Sequence, residues 1–144
     1  MKLSMMINYV GDFPASAQQV VELEKVGLDI VWVAEAYSFD SISQLGYLAA
    51  VTNKVQIGTG IVNIYSRTAA LMAMTAAGLD YVSNGRFILG LGASGAQVIE
   101  GFHGMPYEKP NESRSYRNGR QSTVVANEWR EVFLPLSRHE KTPR

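Results

Sequence analysis

Asn84-Gly85-Arg86-Phe87-Ile88-Leu89-Gly90-Leu91-Gly92-Ala93-Ser94-Gly95 is the stretch that decides the fold class. An Asn-Gly turn leads into a short apolar run, and glycines then open the backbone. Glycine carries no Cβ, so the chain turns sharply there or lies against a ligand. A buried strand that ends in such a loop is how parallel α/β proteins build sites, because ligands sit beyond the carboxyl ends of the strands.

Working outward, three further strands are expected at similar spacing: Leu3 to Ile7, Asp29 to Ala34 and Val55 to Val62, with the fourth at Arg86 to Leu91. The second and fourth are continuous apolar runs. That pattern suits strands covered on both faces, as in parallel sheets. Helices fill the gaps. Pro14 to Val26 has Ala17, Val20 and Leu23 at three-residue spacing, with Gly27 as its stop. Ser41 to Val51 is the second helix. Arg67 to Val82 is the third, with Ser66 as its expected N-cap. Its Ala69, Ala70, Ala73, Ala76, Ala77 and Gly78 allow close approach, either to its own sheet or to a second subunit. The order βαβαβαβ predicts an α/β chain holding the first four βα units, with parallel strands, of a truncated (β/α)8 TIM barrel.

The chain has 144 residues, 47% of them apolar and 18% charged, with a formal net charge of zero. That balance gives no general argument for nucleic acid or an anionic membrane as partner. No apolar run is long enough to span a bilayer. The absence of cysteine removes disulfides, thiolate metal sites and cysteine nucleophiles, and fits a reducing, cytoplasmic compartment. The charge is unevenly placed. Residues 1–110 hold 6 Lys/Arg against 9 Asp/Glu, whereas residues 111–144 hold 7 against 4. Two regions are therefore expected: 1–110 as the barrel portion, and 111–144 as an Arg-rich irregular tail, out of frame with the barrel or otherwise unrelated to it. Within the tail, Ser122 to Phe133 has a weak amphipathic period.

Gly90-x-Gly92-x-x-Gly95 has the spacing of a dinucleotide fingerprint. A Rossmann site would need an unbroken helix next and an acidic strand end about 20 residues on. Gly101 and Pro106 break the following segment, and Glu108 and Glu112 fall in loops. Glu35, at the end of the second strand, reads either as a ligand-facing carboxylate or as a helix-capping, ion-paired one. Gly58 and Gly60 inside the third strand suggest a bulge or a close backbone approach. Asn63 and Tyr65 offer polar tips beyond it. His103 has no partner at recognisable spacing, and there is no metal-ligand cluster.

Several stretches together, in order, resemble the luciferase-like monooxygenase superfamily, in particular its coenzyme F-420-dependent oxidoreductases. They are Val31 to Tyr37, Gly58-Thr59-Gly60-Ile61-Val62, Arg67 to Asp80, Ser83 to Gly92, Ser94 to Gly101, and Gly104 to Pro110. The resemblance implies a TIM barrel with a deazaflavin (F-420) or flavin (FMN) ring at its carboxyl face and a small-molecule substrate beside it. It implies a bulge with a non-proline cis peptide at Gly60-Ile61 against the ring, Asn63 at the ring edge, and an acidic contact from Glu35. Ser94 and Gln97 fall where the fourth-strand loop lines the pocket. A homodimer is expected. No catalytic acid or base is carried over. Where some members place a His after the second-strand acid this chain has Ala36, and the fourth-strand loop reads Ala93-Ser94-Gly95-Ala96 with no Glu. The expected function is a luciferase-like oxidoreductase or monooxygenase, incomplete as this chain. The alternatives are a non-enzymatic half-barrel dimer that binds flavin or is structural, and, less favoured, a Rossmann-type nicotinamide-binding domain.

Overall fold

A computed structural model describes residues 1–7 and 11–107. The expected tail, 111–144, lies outside them, as do Glu108, Lys109 and Pro110. Strand β1 (Ser4–Ile7) leads to helix α1 (Phe13–Lys25), β2 (Ile30–Val33), α2 (Ser41–Val51) and β3 (Gln56–Thr59). Then follow β4 (Val62–Asn63), α3 (Ala69–Val82), β5 (Phe87–Ile88), β6 (Leu91–Gly92) and a single turn, α4 (Ala96–Ile99). One four-stranded sheet has the order β1-β2-β3-β5, and β4 pairs with β6 in a second; every pairing is parallel.

The third and fourth expected strands are each interrupted. Val55 to Val62 divides into β3 and β4 at a cis Gly60–Ile61 peptide, and Arg86 to Leu91 divides into β5 and β6 at Gly90. Both breaks fall at one level and have one cause. The Thr59 hydroxyl accepts from Gly90 N at 2.7 Å and donates to Gly90 O at 2.8 Å, standing where ladder hydrogen bonds would run. A Cβ on Gly90 would lie 2.1 Å from the Thr59 carbonyl oxygen, so no other residue fits. The strands resume pairing at Val62↔Leu91 and Asn63↔Gly92.

The helix ends follow local chemistry. Asp12, Asp40 and Thr68 cap α1, α2 and α3 through their side chains. Thr68, not Ser66, therefore starts the third helix, because the Ser66 hydroxyl is engaged elsewhere. Helix α1 ends with Gly27 N donating to Glu24 O and Leu28 N to Leu23 O, the paired bonds of a Schellman motif with Gly27 at φ +100. Asn84 and Gly85 end α3 in the same way, so the Asn-Gly turn is a helix stop that launches a strand.

Strand alternation divides the sheet. Val31, Val33, Ile57 and Phe87 face the helices and join Val20, Leu45, Leu48, Met72 and Leu79 in the core. Each such fully buried aliphatic side chain contributes about 1.5–3 kcal/mol. The opposite face carries the row Met6, Trp32, Gly58 and Ile88, aligned by the strand register. Trp32 lies flat on Gly58, where a Cβ would meet its ring at 2.5 Å. Both expectations for the strand glycines, close approach at Gly58 and a bulge at Gly60, hold.

The amino ends of the strands are held by two polar clusters. The Glu24 carboxylate accepts from the backbone N–H of Asn53, Lys54 and Val55. The Arg86 guanidinium donates to the carbonyls of Ala49, Thr52, Val55 and Ser83 and to the Thr52 hydroxyl. Burial pushes the Glu24 carboxyl up, but those three N–H donors and Arg86 outweigh it and leave it below the ordinary carboxylate value. Among the described residues no helix is long and apolar enough to cross a membrane.

Candidate functional site

The carboxyl ends of β2, β4 and β6 meet around the Gly60–Ile61 bulge. The β2 backbone grips it on one side: Gly60 N donates to Val33 O at 2.8 Å, and Glu35 N donates to Ile61 O at 3.3 Å. On the other side Val62 N donates to Gly90 O at 2.9 Å and Ile64 N to Gly92 O at 3.0 Å. Gly92 lies against the Ile61 side chain, whose Cδ1 and Cγ1 would be 3.0 Å from an added Cβ. The bulge is thus fixed by neighbours on both flanks.

Behind it lies an ion pair. Glu35 accepts from Arg67 through both oxygens, Nη1 to Oε1 at 2.7 Å and Nη2 to Oε2 at 3.0 Å. The side chains are 9% and 14% exposed respectively. The same carboxylate accepts from Ser41 N at 3.0 Å and Ser41 Oγ at 3.1 Å, at the start of α2. For Glu35 these are the contacts of a helix-capping, ion-paired carboxylate. Burial pushes its carboxyl up, but the Arg67 and Ser41 donors outweigh that and hold it below the ordinary value. Arg67 Nη1 also donates to Ser66 Oγ at 2.9 Å, and Ser66 Oγ donates to the Asn63 carbonyl at 2.7 Å. One network therefore runs from α2 through Glu35, Arg67 and Ser66 to the backbone of Asn63.

Asn63 is 1% exposed. Its Oδ1 accepts from Tyr65 N at 2.7 Å, which fixes the amide orientation, and its Nδ2 is buried with no partner. Among the described residues only one other buried side-chain atom shares that state, Gln44 Oε1 in the first turn of α2. A buried N–H without an acceptor costs about 1–3 kcal/mol, so a native one needs an explanation.

Ser94 and Gln97 stand apart from this group. Ser94 is exposed, has φ +57, and its carbonyl accepts from Tyr107 Oη at 3.3 Å. Gln97 is exposed on α4 and folds back over Gly95. The structure therefore gathers Glu35, Gly60, Ile61 and Asn63 and leaves Ser94 and Gln97 at the rim. Sequence reasoning missed Thr59, Ser66 and Arg67. The signal for Thr59 was its position between two glycines; Ser66 and Arg67 were read only as a helix start. No group of His, Asp or Glu among the described residues is placed to hold a metal.

Parallel strands joined by helices, with the chain irregular at their carboxyl ends, define an α/β fold of the barrel or doubly wound kind. The profile of the luciferase-like monooxygenases matches residues 2–114, and the chain belongs to that family. A Mycobacterium tuberculosis protein named as a coenzyme F-420-dependent oxidoreductase is 40% identical over 112 residues, which are 76% of this chain and 32% of that protein. Among solved structures, the coenzyme F-420-dependent tetrahydromethanopterin reductase of Methanopyrus kandleri superposes with a TM-score of 0.66 at 25% identity, covering 73% of this chain and 30% of that one. The FMN complex of the oxygenating component of 3,6-diketocamphane monooxygenase from Pseudomonas putida gives 0.65 at 19% identity, over 72% and 32% of the two chains. The chain spans about a third of the length of these relatives. The described portion is thus a partial TIM barrel.

Proposed function

We propose that this chain carries the ring-side part of a coenzyme F-420 site, with FMN as the alternative, in a luciferase-like oxidoreductase. The single observation that carries the reading is Asn63 Nδ2, a buried donor without a partner beside the bulge. The pyrimidine edge of a flavin or deazaflavin presents carbonyl oxygens, which are the acceptors such a donor needs. Ile61 and Gly92 offer an uncharged, closely packed surface for a flat ring, with no side chain on Gly92 to obstruct it. Similarity to proteins named as F-420-dependent favours the deazaflavin. When bound, either ring supplies two-electron hydride chemistry. The chain's own residues orient it: Asn63 at the edge, the bulge beneath, and the Glu35–Arg67–Ser66 network behind. Turnover is assigned to the complete barrel, because this chain spans only about a third of the length of its relatives.

The test is a titration of the chain with F-420 and with FMN, followed by cofactor fluorescence, for the wild type and Asn63→Asp. Aspartate keeps an acceptor for Tyr65 N and removes the donor. Affinity at least about tenfold weaker is expected for the donor loss. Equal affinity in the two proteins refutes the reading.

A second reading, the homodimer, rests on a different observation. The outer face of α3 exposes Leu71, Met74, Tyr81 and Val82, at 49%, 68%, 79% and 56%. A patch of that kind marks an interaction surface, and the uncharged stripe is self-complementary. Sedimentation of the wild type against Met74→Glu tests it; a dimer unmoved by the substitution rejects this face.

A further inference from the structure

We infer that Tyr37, Phe102 and His103 form the substrate-side wall of the site and select flat, uncharged, apolar small molecules. The inference rests on the cofactor reading above and adds to it the class of substrate. The rings come from two separate segments. Tyr37 follows β2, and Phe102 follows α4. They meet edge-to-face with centroids 5.7 Å apart, and His103 stands edge-on to Phe102 at 5.2 Å. In the sheet, β3 and its continuation β4 lie between β2 and the β5–β6 strand. The Tyr37–Phe102 contact therefore bridges the carboxyl end of the strand that carries the bulge and Asn63.

A second ring pair ties the same segment down. Tyr107 packs on Tyr65 at 5.8 Å and donates to the Ser94 carbonyl, while Tyr65 N is the partner of Asn63 Oδ1. The 102–107 segment thus touches the loops after all three strand ends, and one of its anchors is adjacent to the unmatched donor.

Two features give the substrate its chemistry. First, Tyr37 and Phe102 leave 54% and 53% of their surface open despite packing on one another. Rings held in a fixed edge contact at a strand-end mouth offer flat apolar area at little entropic cost. Second, the charges there are already matched. Glu35 and Arg67 neutralise each other, Asp40 caps α2, and Glu100 accepts from Tyr107 N. Arg67 is thus held by Glu35, and the carboxylates of Asp40 and Glu100, bonded only to backbone N–H groups, repel an anionic substrate. A flat, uncharged, apolar molecule fits; a carboxylate does not.

Acetophenone and benzoate share a ring and differ in charge, which makes them the probes. Their binding to the 144-residue chain is measured by ligand-observed NMR, with and without F-420. Acetophenone is expected to bind at least about tenfold more tightly than benzoate, and to lose about tenfold on either Tyr37→Ala or Phe102→Ala. Tyr37→Phe should retain its binding. If an alanine variant does not fold, Phe102→Leu and Tyr37→Leu keep the volume, lose the ring face, and carry the same expectation. Unchanged affinity in the ring variants, equal affinity for benzoate, or no binding of acetophenone in either state overturns the inference. The two readings fail separately. F-420 bound with Asn63 dependence but ring variants without effect sinks the wall alone. Ring-dependent acetophenone binding with no F-420 binding sinks the cofactor assignment alone.

Discussion

Removing Arg67 should strongly destabilise this protein. Arg67→Met keeps most of the side-chain volume and deletes the guanidinium. Glu35 then loses two charge-assisted hydrogen bonds, of 2.7 and 3.0 Å, in a site where its side chain is 9% exposed. Breaking a buried pair by removing one partner costs about 3–5 kcal/mol, because the remaining charge is stranded. Glu35 keeps its donors from Ser41 N and Ser41 Oγ, so the lower end applies, about 3 kcal/mol. For a domain of this size that is a fall in Tm of roughly 12 °C or more. Glu35→Gln strands the arginine instead and should cost a similar amount. The double variant strands nothing, so it should be at least about 2 kcal/mol more stable than the two single losses added together. Urea unfolding followed by circular dichroism measures all four proteins. Additive losses, within about 0.5 kcal/mol, would refute the claim that these two residues act as a pair.

The same pair fixes a pH dependence. The folded Glu35 carboxyl titrates below its ordinary value of 4.5. Its contribution is therefore complete above that value and disappears as pH falls through the lower folded one. Glu24 is held down in the same direction, so Glu35→Gln should flatten the acid limb of stability only in part. An acid limb as steep in Glu35→Gln as in the wild type would contradict the assignment.

Other expectations concern the strands. Thr59→Val removes the hydroxyl that serves Gly90 N, leaving that buried N–H unpaired while Gly90 O keeps Val62 N as donor, for a loss of about 1–3 kcal/mol by urea unfolding; Thr59→Ser should recover most of it. Gly58→Ala places a methyl 2.5 Å from the Trp32 ring and should cost about 1–3 kcal/mol, relieved when Trp32→Leu is added; a neutral Gly58→Ala would show that the ring moves freely. Arg86→Met removes donors to four carbonyls at the amino ends of the strands and should lower Tm while leaving F-420 affinity of the folded protein unchanged. Loss of that affinity would contradict the separation of the two faces.

The helices and parallel order were legible because they follow from short-range chemistry. Asp12 and Asp40 cap as their type predicts, Gly27 stops α1, and the apolar runs of β2 and β5 mark strands covered on both faces. The interruptions were legible only in outline. Glycines at 58, 60, 90 and 92 announce irregular backbone, but the position of each break depends on Thr59 reaching a residue 31 positions away. Periodicity carries no information about such a pair. The Glu35 partner was illegible for the same reason, since Arg67 lies 32 positions on and the intervening helix brings it back. Ser66 looked like the N-cap because serine commonly is one, yet tertiary demand from Arg67 and the Asn63 carbonyl claims its hydroxyl, and Thr68 caps instead.

The contrast between the two ends of the sheet argues for where the ligand goes. At the amino ends Glu24 and Arg86 together engage three N–H groups, four carbonyls and a hydroxyl, joining α1, α2 and the strands into a closed polar cluster. At the carboxyl ends the more deeply buried network of Glu35, Arg67, Ser41 and Ser66 is satisfied, while beside it Asn63 Nδ2 and, in the first turn of α2, Gln44 Oε1 are not. A fold that satisfies its polar groups this thoroughly at one end gains nothing from leaving a donor unpaired at the other, at a cost of about 1–3 kcal/mol, unless something outside the chain accepts from it. Deleting the donor should therefore stabilise the ligand-free chain or leave it unchanged while weakening the complex. Asn63→Asp is unsuitable for that comparison because it buries a charge. Asn63→Ser keeps an oxygen on the Tyr65 N side and replaces the amide with a shorter hydroxyl that does not reach the position of Nδ2. Equal or greater stability without ligand, joined to weaker F-420 binding, is the signature of a donor kept for a ligand. A stability loss above about 2 kcal/mol with unchanged binding would make Asn63 a structural residue and move the site elsewhere.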